Sequence, residues 1–173
     1  SPTAEREGVL LVFSFASSRR LKVKVGDLMN GYFQGERLEN PLVLKQPSTG
    51  LPDPNIPADA RLLAFVPIYG TRDAGRGLWK RMRKVMINHG FIENHILRAL
   101  YSYAKDGVIM CLMATHVDDL IWANEPEVDA LLESIFKELI LGKRQTSEFR
   151  FCGTEVQQYG DFSILVTCEQ TTL

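Results

Sequence analysis

Two adjacent aspartates, Asp118 and Asp119, break a β-prone apolar stretch, with residues 108–114 ahead of them and Leu120-Ile121 behind. The pattern predicts a buried strand, a tight turn carrying carboxylates, and a second strand returning beside the first. Carboxylates held close together and half out of water repel, so a fold accommodates them with a compensating cation or a raised pKa. Hard oxygen ligands of this kind suit magnesium. Asp is also a common turn residue, and spacing alone leaves a solvated hairpin turn equally open. A third acid, Asp27, follows Gly26 at the end of a run, residues 21–25, in which apolar side chains alternate with Lys22 and Lys24. That period is a half-buried strand. If this strand neighbours the hairpin, three carboxylates converge at one sheet edge. Such a set can hold two divalent ions about 4 Å apart, which activate an attacking hydroxyl and stabilise a leaving oxygen in phosphoryl transfer.

A second chemical feature is basic. Residues 74–88 place Leu78, Trp79, Met82, Val85 and Met86 on a stripe of helical period, stopped at His89-Gly90. Arg76, Lys80, Arg81, Arg83 and Lys84 fill most of the remainder, with Arg72 just ahead. Asp73 is the only acid between Arg72 and Lys84, so ion pairs along the helix do not account for the run. Between a solvated face and a contact to phosphate backbone, the second reading is preferred. The net charge of the chain is −1, so affinity for an anionic polymer has to come from a local patch.

These residues need elements to position them. A helix is expected from Ser1-Pro2-Thr3 to about Ser17, although the content of residues 9–15 also permits a strand. Strands are expected at 21–25, 42–45, 62–66 and 99–103, with Asn30-Gly31 as a turn. Residues 46–59 hold Pro47, Pro52, Pro54 and Pro57 and read as a loop. Lys105-Asp106-Gly107 is a hairpin turn leading to the first Asp-Asp strand. Pro126 opens a helix with a stripe at Val128, Leu131, Leu132, Ile135, Phe136, Leu139 and Ile140, ended by Gly142. Residues 148–157 and 162–167 form a last hairpin around Tyr159-Gly160-Asp161. The sum is an α+β domain, with helices on one face of a mainly antiparallel sheet.

The 173 residues suit one domain, and 45% hydrophobic with 24% charged residues is ordinary for a globular protein. Cys111, Cys152 and Cys168 have neither zinc spacing nor an even count, which points to buried free thiols in a reducing, intracellular setting. The longest N-terminal apolar run, residues 9–16, falls short of the roughly 20 residues that span a bilayer, and no membrane partner is expected.

Read in order, these segments resemble the reverse transcriptase of copia-type long-terminal-repeat retrotransposons. Residues 27–38 (DLMNGYFQGERL) resemble that family's DVKTAFLNGDL, and Gln46-Pro47 its following QP. Residues 69–79 (YGTRDAGRGLW) resemble YGLKQAPRAWY, and 88–91 (NHGF) the helix end LGF. His116-Val117-Asp118-Asp119 resembles the YVDD box, residues 151–156 (FCGTEV) resemble FLGIEI, and Ser1-Pro2-Thr3 is similar to the tail of FSPV. The series covers essentially the whole chain and is far more specific than any one segment.

The resemblance implies a polymerase palm with part of the fingers, one domain over residues 1–173 of a larger polyprotein. The family's first fingers strands are then expected ahead of Ser1, and its thumb and RNase H beyond Leu173. It implies RNA-directed DNA polymerase activity on a primer–template with deoxynucleoside triphosphates. Asp27, Asp118 and Asp119 would bind two Mg²⁺ ions, with Mn²⁺ as a substitute. Leu28 and Tyr32 would contact the nucleotide, Tyr32 as the aromatic that excludes a 2′-hydroxyl. Arg72, Arg76, Lys80 and Arg83 would lie along the nucleic acid. The setting implied is a cytoplasmic particle or the nucleus. Three positions depart from the pattern: His116 replaces the Tyr of the box, Asp73 a nucleotide-contacting Gln, and Gly75 a Pro. A truncated or degenerate palm that binds nucleic acid without catalysis is the alternative. An aspartate phosphoacceptor domain would need alternating β/α units, which the hairpin signals oppose.

Overall fold

The computed structural model describes residues 2–53, 55–57, 59–72 and 74–168. Ser1, Pro54 and Asp73, each used in the sequence reading, lie outside the described residues. In chain order the elements are α1 (Arg6–Arg19), β1 (Lys24–Leu28), a 3₁₀ turn (Gly31–Gln34), β2 (Leu42–Leu44), β3 (Leu62–Ala64), α2 (Ala74–Asn88), β4 (Ile92–Glu93) and β5 (Leu100–Lys105). They continue with β6 (Val108–His116), β7 (Asp119–Asn124), a 3₁₀ turn (Pro126–Val128), α3 (Asp129–Glu138), β8 (Leu141–Thr146), β9 (Glu148–Phe151), β10 (Thr154–Gln158) and β11 (Ile164–Cys168).

A six-stranded sheet in the order β4-β5-β6-β7-β1-β8 forms the centre, a three-stranded sheet β11-β10-β9 packs beside it, and β2 pairs with β3. Every strand pairing is antiparallel. β7 explains the layering. Five of its six residues, Leu120 to Asn124, are buried, so the strand is covered on both faces. Leu120 and Trp122 point into one core with Met113, Tyr101, and the α2 and α3 residues Leu78, Met82, Leu132 and Phe136. Ile121 and Ala123 point into the other, with Val12 and Ala16 of α1 and Phe149, Phe151 and Val156 of the smaller sheet. Burying both faces removes enough apolar surface to hold the layers together, at roughly 25 cal/mol per Å². Helices therefore lie on both faces of the sheet, where the sequence reading expected one. The alternation of residues 21–25 is half-buried as expected: Leu21, Val23 and Val25 are buried against α1 and the smaller sheet, Lys22 is exposed, and Lys24 is half-buried on the other face beside Asp129.

Local boundaries differ in places for identifiable reasons. α1 begins at Arg6 and not at Pro2, and it ends at Arg20, whose left-handed backbone (φ 54°) caps it through bonds to Ala16 and Ser17. β1 starts at Lys24, so Asp27 lies within the strand and not beyond it. α3 ends at Glu138, because Ile140 adopts φ 40°, and Gly142 lies inside β8 and does not stop the helix. Residues 148–157 are two strands, broken at Cys152-Gly153, both with positive φ. Gln158 ties the smaller sheet to the approach of β1: its amide accepts from Val23 N–H at 3.0 Å and donates to Leu21 C=O at 2.9 Å. All three cysteines are free, but only Cys111 is buried; Cys152 at the β9–β10 turn and Cys168 at the end of the edge strand β11 are exposed, against the expectation of buried thiols. Among the described residues no helix is long and apolar enough to cross a membrane.

Candidate functional site

β6 and β7 join through a two-residue turn, Val117-Asp118, flanked by the opposed pair His116 and Asp119. Asp118 is therefore in the turn, and Asp119 is the first residue of β7. Val117 has φ 57°, while Asp118 is not in the left-handed region. A β-branched residue at positive φ is a true outlier that costs on the order of 1–3 kcal/mol, and such strain concentrates at functional turns. The turn is pinned to the central sheet by Leu28 N–H, which donates to Asp118 C=O at 2.8 Å.

β1 runs antiparallel to β7 with Asp27 directly opposite Asp119. Opposed residues share one face, with Cβ atoms about 4.5–5.5 Å apart. The adjacency that the sequence could only pose as a condition is thus met. Asp27 is exposed and the other two acids are half-buried. Among the described residues none of the three carboxylates takes a hydrogen bond or an ion pair. Asp119 is held above the usual carboxylate range, first by desolvation, then by the charges of Asp118 and Asp27, while His116 opposes the shift. Asp27 and Asp119 line a cavity of about 100 Å³ together with Lys143 and Gln145 of β8 and Arg150 of β9. The donor set is hard oxygen, the chemistry that suits Mg²⁺. Among the described residues, no three or more His, Cys, Asp or Glu side chains are arranged to hold a metal ion as they stand.

Two glycines crowd the acids. A Cβ at Gly31 would stand 2.6 Å from Asp118 Cβ, and one at Gly142 would stand 3.3 Å from Asp27 Oδ1. Neither glycine was singled out in this role, because the signal is a non-local approach with no trace in the local pattern. Lys143 was missed because Gly142 was read as a helix end and not as part of β8, and Arg150, on an expected strand, was missed because the approach of β9 to Asp27 and Asp119 is non-local.

The remaining expected residues are distributed unevenly. Tyr32 is half-buried on the 3₁₀ turn after β1, edge-on to Tyr69 with ring centroids 4.6 Å apart. Leu28 is only 2% exposed and its side chain packs in the α2-side core. The strand's alternation points that side chain away from Asp27. Arg72, Arg76 and Lys80 are exposed. Arg83 is exposed too, but its Nε donates to Glu93 of β4 at 2.7 Å. Arg81 pairs with Glu138 of α3 at 3.0 Å. Acids distant in sequence therefore neutralise part of a run that local pairing could not. His116 is half-buried with Nδ1 unpartnered.

No protein-family model matches this chain, and a search of curated proteins finds no match to it.

Proposed function

We propose that the chain is the palm and partial fingers of a copia-type retrotransposon reverse transcriptase, an RNA-directed DNA polymerase working on a primer–template. The observation that carries this reading is the register that sets Asp27 opposite Asp119, with Asp118 in the turn beside them. The resemblance over ordered segments supplies the reaction. Asp27, Asp118 and Asp119 would hold two Mg²⁺ ions, or Mn²⁺ in their place. When bound, such ions lower the pKa of a hydroxyl nucleophile and stabilise the leaving oxygen of an in-line displacement.

The chain's own residues do the rest. The paired strands hold two carboxylates on one rigid face, and the pinned turn holds the third, so positioning is built in before substrate arrives. Tyr32, braced edge-on by Tyr69 and next in sequence to Gly31, which abuts Asp118, would contact the nucleotide sugar. Arg72, Arg76 and Lys80, without an ion pair among the described residues, would supply positive charge for the nucleic-acid backbone.

A primer-extension assay on a homopolymer template with Mg²⁺ or Mn²⁺ tests the reading, comparing the chain with Asp118→Asn. Extension that vanishes in the variant supports it; extension no higher than the variant's level sinks the enzymatic claim. A second reading is a palm that binds nucleic acid without catalysis, supported by the exposed cations of α2. It predicts nucleic-acid binding with no extension.

A further inference from the structure

The outward face of α2 lies on the opposite side of the central sheet from Asp27 and Asp119. Those acids share the register face of Ile121, which points toward α1, whereas α2 packs against Leu120 and Trp122. A groove of about 420 Å³ follows α2, lined by Glu36, Trp79, Lys80, Arg83, Lys84 and Ile87 among others. It shares Glu36 and Lys80 with a neighbouring groove of about 320 Å³ that reaches Arg76. Arg76, Lys80 and Lys84 are spaced one helical turn apart, about 6 Å along the axis. Among the described residues none of these three cations has an ion pair or a hydrogen bond.

Aromatic surface lies beside that charge. Trp79 is half-buried, with its indole N–H turned inward next to the equally unpartnered Tyr101 hydroxyl and one Glu93 oxygen. The Arg83 guanidinium lies over the Trp79 ring, 6.0 Å from its centroid, and the Arg83–Glu93 pair holds it there. Arg83 is thus diverted from free phosphate contact and becomes part of a flat platform. Ile87, 41% exposed, extends the apolar floor.

We infer that this groove is a binding subsite for an unpaired nucleic-acid strand, with a base stacked on the Trp79–Arg83 platform and phosphates on Arg76, Lys80 and Lys84. A cationic track beside an aromatic ring is the recipe for sequence-tolerant single-strand binding, because every base has a π-face. A duplex hides those faces and would use only the charges. The inference rests on the nucleic-acid part of the proposed function and not on its catalytic part.

The test measures binding of a fluorescein-labelled oligo-dT to the full chain by anisotropy, with EDTA present, over a salt series. Replacing Lys80→Gln and Lys84→Gln together should reduce the slope of log K against log salt by about 1.4, near 0.7 per cation. Trp79→Leu should weaken oligo-dT about 5- to 150-fold and leave a duplex of the same length little changed. Trp122 is 1% exposed, so quenching of intrinsic fluorescence by oligo-dT in the unaltered chain reports Trp79 without any substitution. An unchanged salt slope in the lysine variant, or oligo-dT binding without quenching, overturns the inference. Lys105→Gln, an exposed cation at the end of β5 and outside both grooves, serves as the control and should bind oligo-dT as the unaltered chain does. Absent extension with lysine-dependent oligo-dT binding removes only the polymerase reading. Extension with an unchanged salt slope removes only the groove.

Discussion

Gly31→Ala should move an acid of the candidate site without touching its charge. Gly31 is buried at the start of the 3₁₀ turn after β1, and its φ lies outside the left-handed region, so the backbone itself accepts alanine. The obstacle is packing. The added Cβ would stand 2.6 Å from Asp118 Cβ and 3.3 Å from Leu78 Cδ2. Asp118 Cβ is bonded to the backbone of the two-residue turn, so no rotamer change removes it. Val117 already holds φ 57°, and the Leu28–Asp118 hydrogen bond of 2.8 Å pins the turn. Moving from 2.6 Å to the 3.4 Å at which ordinary contact begins requires a shift of about 0.8 Å. Overpacking of this kind costs about 1–3 kcal/mol, and the reduced freedom of the unfolded chain returns about 0.4–1 kcal/mol. The expected net is a loss of about 1 kcal/mol, read in urea as a lower midpoint at unchanged slope. Under the proposed function, a displacement near 1 Å should also slow primer extension by as much as about 100-fold. A variant as stable as the unaltered chain, with Asp118 unmoved in its crystal structure, would refute the reasoning and show that the 3₁₀ turn yields instead.

Two further outcomes follow from the ion pairs. Arg83→Ala should destabilise the fold by roughly 1–3 kcal/mol, because it leaves the Glu93 carboxylate, only 13% exposed and already lacking one partner, without its cation. Lys80→Ala, on the same helix with no ion pair among the described residues, should stay within about 0.5 kcal/mol, and urea unfolding of the two side by side checks the contrast. Asp129 is held below the usual carboxylate range, first by the Asn124 amide (2.9 Å) and then by Lys24. Its native form therefore binds fewer protons than the unfolded form as pH falls through the ordinary carboxylate value. Its contribution is present above that value and lost as pH drops through the lowered one. Asp129→Asn should flatten the acid limb of a stability–pH curve; an unchanged limb would remove the assignment.

How much of this was legible depended on whether the signal was local. The helix at 74–88 was readable end to end, because its apolar stripe and the following His89-Gly90 are short-range signals. The turn at Asp106-Gly107 was readable for the same reason, with both residues at positive φ as such hairpins require. The Asp118-Asp119 hairpin was also visible in outline. Gly142 misled, because a glycine after a helical stripe ordinarily marks a helix end. Here Ile140 had already broken the helix, and Gly142 serves the close approach of β8 to Asp27.

By itself, then, the sequence determined which residue types could do chemistry and most of the elements that carry them, since both follow from patterns within a dozen residues. Only the tertiary structure decided that Asp27 faces Asp119 across two strands separated by most of the chain. It alone decided that Glu93 and Glu138 draw Arg83 and Arg81 away from the open face of α2. Strand order and register are settled by burying both faces of one sheet at once, a condition on the whole chain that no local window contains.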